Sequence, residues 1–224
     1  MPRKSSAKRR TGEGSSHQGY DDNLFTSFAK YDLYEKRFKN RKILLGKSVI
    51  FDEFLGFHLK NLYEYMGWLG LCNLEGRVYP KLIRMFYANL VYTIPYGNSG
   101  YAELTSYVKG KEIKFTEDIL TGVFGIRSEG HGVYASKSHI VSGNYNRAEA
   151  LKLITSNQNF PVEQFPKNSE LIPRAKLLHS LNTYIFLPRS GHWDYVNVMD
   201  TVLLHCLLNR EKVNLSYIII HHIF

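Results

Sequence analysis

The sequence predicts a mainly α fold, a multi-helix domain with one small β-hairpin at about 103–115 and a disordered basic N-terminal tail. Three observations carry this. Apolar residues recur at three- and four-residue spacing through most of the chain, the pattern of helices with one buried stripe. The stretch YPKLIRMFYANL (79–90) adds a start signal, because Pro80 has the preset backbone angle of a first helical turn and needs no donor there. Between 103 and 115 the period changes to that of two short strands around Lys109 and Gly110.

Residues 1 to about 20, rich in Ser, Gly and basic side chains, lack any apolar pair and cannot offset the entropy of ordering. They form the tail. From Asp22 the spacing of Leu24, Phe25, Phe28, Tyr31 and Phe38 predicts a helix over 22–38, capped by Asp21 or Asp22. Val49 to Phe51 read as extended, and 52–66 as a helix with Leu55, Leu59, Leu62 and Met66 on one face and Gly67 as its stop. The Pro80 helix follows, with Leu82, Ile83, Phe86 and Leu90 on its buried stripe and Asn89 on another face. Pro95, Gly97, Asn98 and Gly100 mark a loop before the hairpin, and Thr116 then caps a helix whose apolar positions are Ile119, Leu120 and Val123. The Gly- and Ser-containing stretch 125–146 reads as a long surface loop. Further helices are expected at 147–156, 170–187 and 194–208, and a last one begins in VNLSYIIIHHIF behind Asn214 or Ser216. Ile218, Ile219, Ile220 and Ile223 are apolar on several sides. That suits a helix which more chain, or a protein partner, would cover. The expected organisation is therefore a tail over 1–20 and a domain over 21–224 that is cut short at its C-terminal end.

The hydrophobic fraction of 44% is ample for a packed core, and the two cysteines, Cys72 and Cys206, are too few for a disulfide framework or a thiolate cage. No window approaches the ~20 apolar residues of a membrane span, so no membrane partner is expected and the protein is read as intracellular. The net charge of +9 is concentrated in residues 1–47, whose local balance is +7. The candidate nucleic-acid-binding residues therefore lie there: Arg3, Lys4, Lys8, Arg9 and Arg10 in the tail, and Lys36, Arg37, Lys39, Arg41 and Lys42 in KYDLYEKRFKNRK. In the second group the cations are interleaved with aromatics that can stack on bases. The same letters suit a solvated helix end, where cations complement the helix dipole. The tail cluster also fits a nuclear localisation signal.

No catalytic site emerges, and no cofactor or metal is expected. Asp52, Glu53, Glu117, Asp118, Asp194 and Asp200 supply enough acids for a two-metal nuclease, but most fall at helix starts, where acids are expected without chemistry. His192 beside Asp194 is the most suggestive base, and the plainer assignment makes Asp194 the start of a helix. His221 and His222 are adjacent and face apart, and His131 and His139 lack supporting ligands. A phosphate-loop motif is absent.

RMFYANL (84–90), SYVKGKEIKFTEDIL (106–120), VFGI (123–126) and the run 177–220 resemble, in this order, the putative plant transposon protein domain. RKILLGKSVIFDEF and MGWLGL are similar to the start of that family. The resemblance implies a mostly helical domain of plant mobile-element origin with no established activity and no agreed catalytic residues. Phe86, Tyr87, Asn89, Val108, Gly110, Phe115, Pro188 and Trp193, which carry it, look structural. Three alternatives stay open: a non-catalytic module binding nucleic acid or protein, a divergent metal-dependent nuclease or integrase fragment, and a decayed gene fragment without function.

Overall fold

The computed structural model describes residues 19–45, 48–93, 103–133, 135–136, 139–140, 145–189 and 191–223. The tail residues 1–18 and the loop with Pro95, Gly97, Asn98 and Gly100 lie outside them. The architecture is mainly helical, with a small antiparallel sheet.

The first helix begins later than its periodicity suggested. The Asp21 carboxylate is occupied by the Asn23 amide in a local turn, and Ser27 caps α1 (Phe28–Leu33) by accepting from the Lys30 amide. A π-helical turn, Tyr34–Phe38, continues it. The expected helix over 52–66 is broken. A 3-10 segment, Phe51–Phe57, ends at His58, whose φ of 51° lies in the left-handed region, and α2 (Leu59–Met66) starts anew. Leu59, Leu62 and Met66 are buried as expected, whereas Leu55, beyond the break, is 70% exposed. Gly67 ends α2, and α3 (Leu69–Cys72) follows.

α4 (Pro80–Asn89) forms on its Pro80 start, but its buried face is Met85, Ala88 and Asn89. Leu82, Ile83, Phe86 and Leu90 are half-buried. The helix is contacted on two sides, by α1 with its π-turn and by β2, so no single stripe is buried alone. The hairpin is present: β2 (Glu103–Val108) pairs antiparallel with β3 (Lys111–Phe115), and the positive φ of Lys109 (48°) and Gly110 (78°) gives the turn the twist that suits a two-residue hairpin. A third strand, β1 (Val91–Thr93), adds to β2 on the other edge. α5 (Glu117–Phe124) is capped by the Thr116 hydroxyl, and buries Leu120 while Ile119 and Val123 (67%) stay exposed.

The stretch 125–146 departs from a free surface loop. Ile126 and Val133 are buried, the His131 amide donates to the Lys212 carbonyl, and the Asn214 amide donates to the His131 carbonyl, 2.9 and 3.0 Å. A short pair, β4 (Ala135–Ser136) with β5 (His139–Ile140), closes part of it. α6 (Arg147–Ile154) is capped by Asn146. α7 (Pro173–Leu181) runs into a second π-turn, Asn182–Phe186. α8 (Val198–Asn209) buries every residue from Met199 to Leu207, which makes it the central helix of the main core against α6 and α7. Tyr63, Trp68 and Phe186 meet there with ring centroids 5.1–6.0 Å apart. α9 (Leu215–Ile223), capped by the Asn214 carboxamide, packs on α5, and its Ile220 joins Leu104 and Leu120 in a second, smaller core over the sheet. Ile218 is buried in the main core, so much of the apolar surface of this helix is covered within the chain itself. Among the described residues, no helix is long and apolar enough to cross a membrane.

Candidate nucleic-acid interface

The basic residues of the second candidate group sit where α1 winds through its π-turn and leaves the helix. Lys36, Arg37, Lys39, Arg41 and Lys42 are all exposed there. They are not equivalent. Lys36 pairs with Asp32 and Lys39 with Glu35, both at 2.8 Å and one turn apart, and the Glu35 hydrogen bond and charge push the Lys39 ammonium above its ordinary value. Among the described residues, no carboxylate pairs with Arg37, Arg41 or Lys42. Exposed pairs of this kind add little to stability, at most about 1 kcal/mol. The unpaired cations contribute charge without holding the fold together.

α4 fixes this end of the helix. Arg84 Nε donates to the Arg41 carbonyl at 3.0 Å, which sets the Arg84 guanidinium against the Arg41 backbone, and Lys81 lies one turn earlier on α4. Phe38 and Tyr87 stack across the two elements, 6.2 Å between centroids at 18°. Tyr87 is 37% exposed; partial burial raises its phenol pKa, opposed by the Arg41 charge. Glu35, Lys36, Arg37, Asn40 and Arg41 line an open groove of about 420 Å³. A ridge of unpaired cations beside a stacked aromatic pair can contact phosphates and offer a face to a base. Lys30 plays a different part. Its ammonium donates to the Leu90 carbonyl at 2.8 Å and burial lowers its pKa, so it fastens α1 to the end of α4. Arg3, Lys4, Lys8, Arg9 and Arg10 lie outside the described residues.

The candidate catalytic groups are dispersed into other roles. Asp52, Glu53, Asp118 and Asp194 are exposed. Glu117 is buried and accepts from Ser128 Oγ and Asn214 Nδ2, 3.0 and 2.6 Å, joining α5 to the start of α9. Asp194 does not cap α8; Asn197 does, and Asp200 completes the capping box. His192 is exposed at a φ of 55° with its ring against Tyr195. His221 Nδ1 meets the Tyr92 hydroxyl at 2.9 Å, whereas His222 faces the Pro188 carbonyl, so the two diverge. Among the described residues, no three of the carboxylates weighed for a nuclease gather as metal ligands would.

Two polar groupings were not visible in the sequence. In the first, Arg189 Nη1 donates to Asp200 Oδ2 at 2.7 Å, with His179 Nε2 3.4 Å from the same oxygen and Arg189 Nη2 also donating to the Tyr195 carbonyl. Trp193 Nε1 donates to the Arg189 carbonyl and holds that turn. The Asn197–Asp200 spacing was its one sequence signal. In the second, His205, Cys206 and Glu211 bring their ligand atoms within 4.8 Å of one another at the end of α8. Both cysteines are buried and free, with thiols pushed up to about 12 chiefly by burial.

A family model described as a putative plant retrotransposon-related domain matches residues 64–224, from within α2 through α9. No curated protein and no solved structure matches the chain. The matched span includes Lys81, Arg84 and Tyr87 of the candidate interface but begins after Lys36–Lys42.

Proposed function

The chain belongs to the family of putative plant retrotransposon-related domains, and from that premise we propose that it is a non-catalytic, nuclear module of a mobile element that binds nucleic acid through its basic N-terminal region. The observation that carries this is the ridge of Arg37, Arg41 and Lys42, without carboxylate partners among the described residues, fastened by Arg84 beside the stacked Phe38–Tyr87 pair. Arg3, Lys4, Lys8, Arg9 and Arg10 extend the positive charge along the chain. The ridge recognises the phosphate backbone, which gives affinity without sequence preference, and Tyr87 favours strands whose bases are free to stack.

The test is equilibrium binding of single- and double-stranded DNA and RNA by the full chain as salt is varied. The expected result is a steep, linear loss of log affinity with log salt, which becomes shallower in the triple charge-reversal variant Arg37→Glu, Arg41→Glu, Lys42→Glu. Undetectable binding at low salt, or a slope that the variant leaves unchanged, would overturn the assignment to this face.

A further inference from the structure

We propose that His205, Cys206 and Glu211 form a binding site for one zinc-type divalent cation, independent of the basic ridge. The residues come together through the way α8 ends. Arg210 enters the left-handed region at a φ of 55°, and the chain folds back so that the Glu211 amide donates to the Cys206 carbonyl at 2.8 Å. That turn carries the Glu211 carboxylate over the helix end, where the Cys206 thiol donates to Oε2 at 3.9 Å. The three ligand atoms then lie within 4.8 Å of one another. Ligand atoms around a tetrahedral zinc lie roughly 3.3–3.8 Å apart. The cluster therefore contracts by about one ångström on binding, within reach of the half-buried Glu211 side chain.

A second observation points to a ligand. His205 is 7% exposed, and its buried Nδ1 has no hydrogen-bond partner among the described residues. Its other nitrogen, Nε2, accepts from Asn209 Nδ2 at 3.0 Å. An orphaned buried ring nitrogen is costly, and a cation on Nδ1 relieves it. With the ring proton on Nε2, the Asn209 carboxamide turns over so that its oxygen accepts from Nε2–H, the outer support that metal-bound imidazoles commonly have. Tyr145 stands edge-on to the imidazole, 5.6 Å between centroids, and limits its rotation.

The donor set selects the metal. One thiolate, one imidazole and one carboxylate suit a borderline cation such as zinc, whereas magnesium and calcium require oxygen ligands. On binding, the Cys206 S–H bond breaks, the sulfur–metal bond forms, and one proton passes to solvent. Thiolate and carboxylate together cancel the double charge of the ion, so the filled site is neutral, which reduces the cost of its burial. Three protein ligands leave a fourth position for water.

Cobalt(II) is the probe for the full chain, because a thiolate ligand gives it a near-ultraviolet charge-transfer band. The expected result is a band saturating at one equivalent, release of one proton per ion in weak buffer, and displacement of cobalt by zinc. The band is lost in Cys206→Ser and kept in Cys72→Ser. Glu211→Gln, at a half-buried position outside the packed core, keeps the fold and weakens affinity about tenfold or more. Thermal unfolding without metal confirms that each variant is folded before it is scored. A folded wild-type chain that gives no band, or a band that persists in folded Cys206→Ser, would overturn the site.

Discussion

The Asn89 side-chain amide donates to the Tyr107 carbonyl at 2.7 Å, and the same nitrogen donates to the Leu24 carbonyl at 2.9 Å while its oxygen accepts from the Thr26 amide at 3.2 Å. One buried carboxamide thus joins the strand β2, the helix α4 and the segment leading into α1. Asn89→Ala leaves three backbone groups without this partner, and a buried unsatisfied group costs about 1–3 kcal/mol. The expected loss in urea unfolding is about 3 kcal/mol, with the basic ridge becoming more accessible to protease than in the wild type. A loss near zero would show that water replaces the amide fully.

Arg189 and Asp200 form a pair in which the carboxylate is almost wholly buried. Removing the guanidinium leaves that charge facing His179 and the Asn197 amide alone. Arg189→Met is expected to destabilise by about 3 kcal/mol or more. Adding Asp200→Asn to that variant should restore part of the loss, because the neutral amide is cheaper to bury, and a double-mutant cycle in denaturant measures the coupling.

Gly130 has a φ of 101°, and a Cβ there would collide with the Lys212 backbone. Gly130→Ala is expected to cost at least about 2 kcal/mol from backbone strain alone. The readout is faster amide exchange at His131 and Asn214, whose hydrogen bonds depend on that approach.

His221 and His222 both have pKa values held below the ordinary imidazole value, in each case chiefly by burial. The charge of Glu117 opposes the shift at His221; the Pro188 carbonyl and Asp200 oppose it at His222, where Arg189 reinforces it. The unfolded chain therefore takes up these protons first as pH falls. Their contribution to stability is intact above the unfolded value of about 6.5 and is lost as pH falls from there through the lower folded values. Stability measured between pH 7 and 5 should fall less steeply in the His221→Gln, His222→Gln variant than in the wild type.

Arg41→Ala and Lys42→Ala should leave the unfolding midpoint unchanged, since both side chains are exposed and neither is ion-paired among the described residues. Each is expected to reduce the salt slope of nucleic-acid binding by about one, the signature of one lost phosphate contact.

Local chemistry was legible in the sequence, and relations between distant segments were not. Pro80, Thr116 and the Lys109–Gly110 turn act through their own backbone and near neighbours, so their elements appear where the residue types place them. Asn89 is different. Its polarity argues for an exposed face, and only the approach of Leu24, Thr26 and Tyr107 makes burial favourable. The break at His58 likewise answers to packing around Phe51 and Tyr63 rather than to a strong local stop signal. The cations at 36–42 were found by composition, but which of them are spent on Asp32 and Glu35 depended on rotamers across one helical turn. His205, Cys206 and Glu211 match no ligand spacing, because their convergence arises from the left-handed Arg210.

The small core over the sheet has a consequence for the order of events during synthesis. Leu104 and Leu120 are translated about a hundred residues before Ile220, which completes their cluster, and Tyr92 waits across 129 residues for His221. Until residues 215–223 dock, β1–β3 present an apolar surface that is not closed, and the main core too lacks Leu215 and Ile218. Both cores therefore wait for α9, and the interval before it docks is when the chain is most exposed to aggregation or to capture by chaperones.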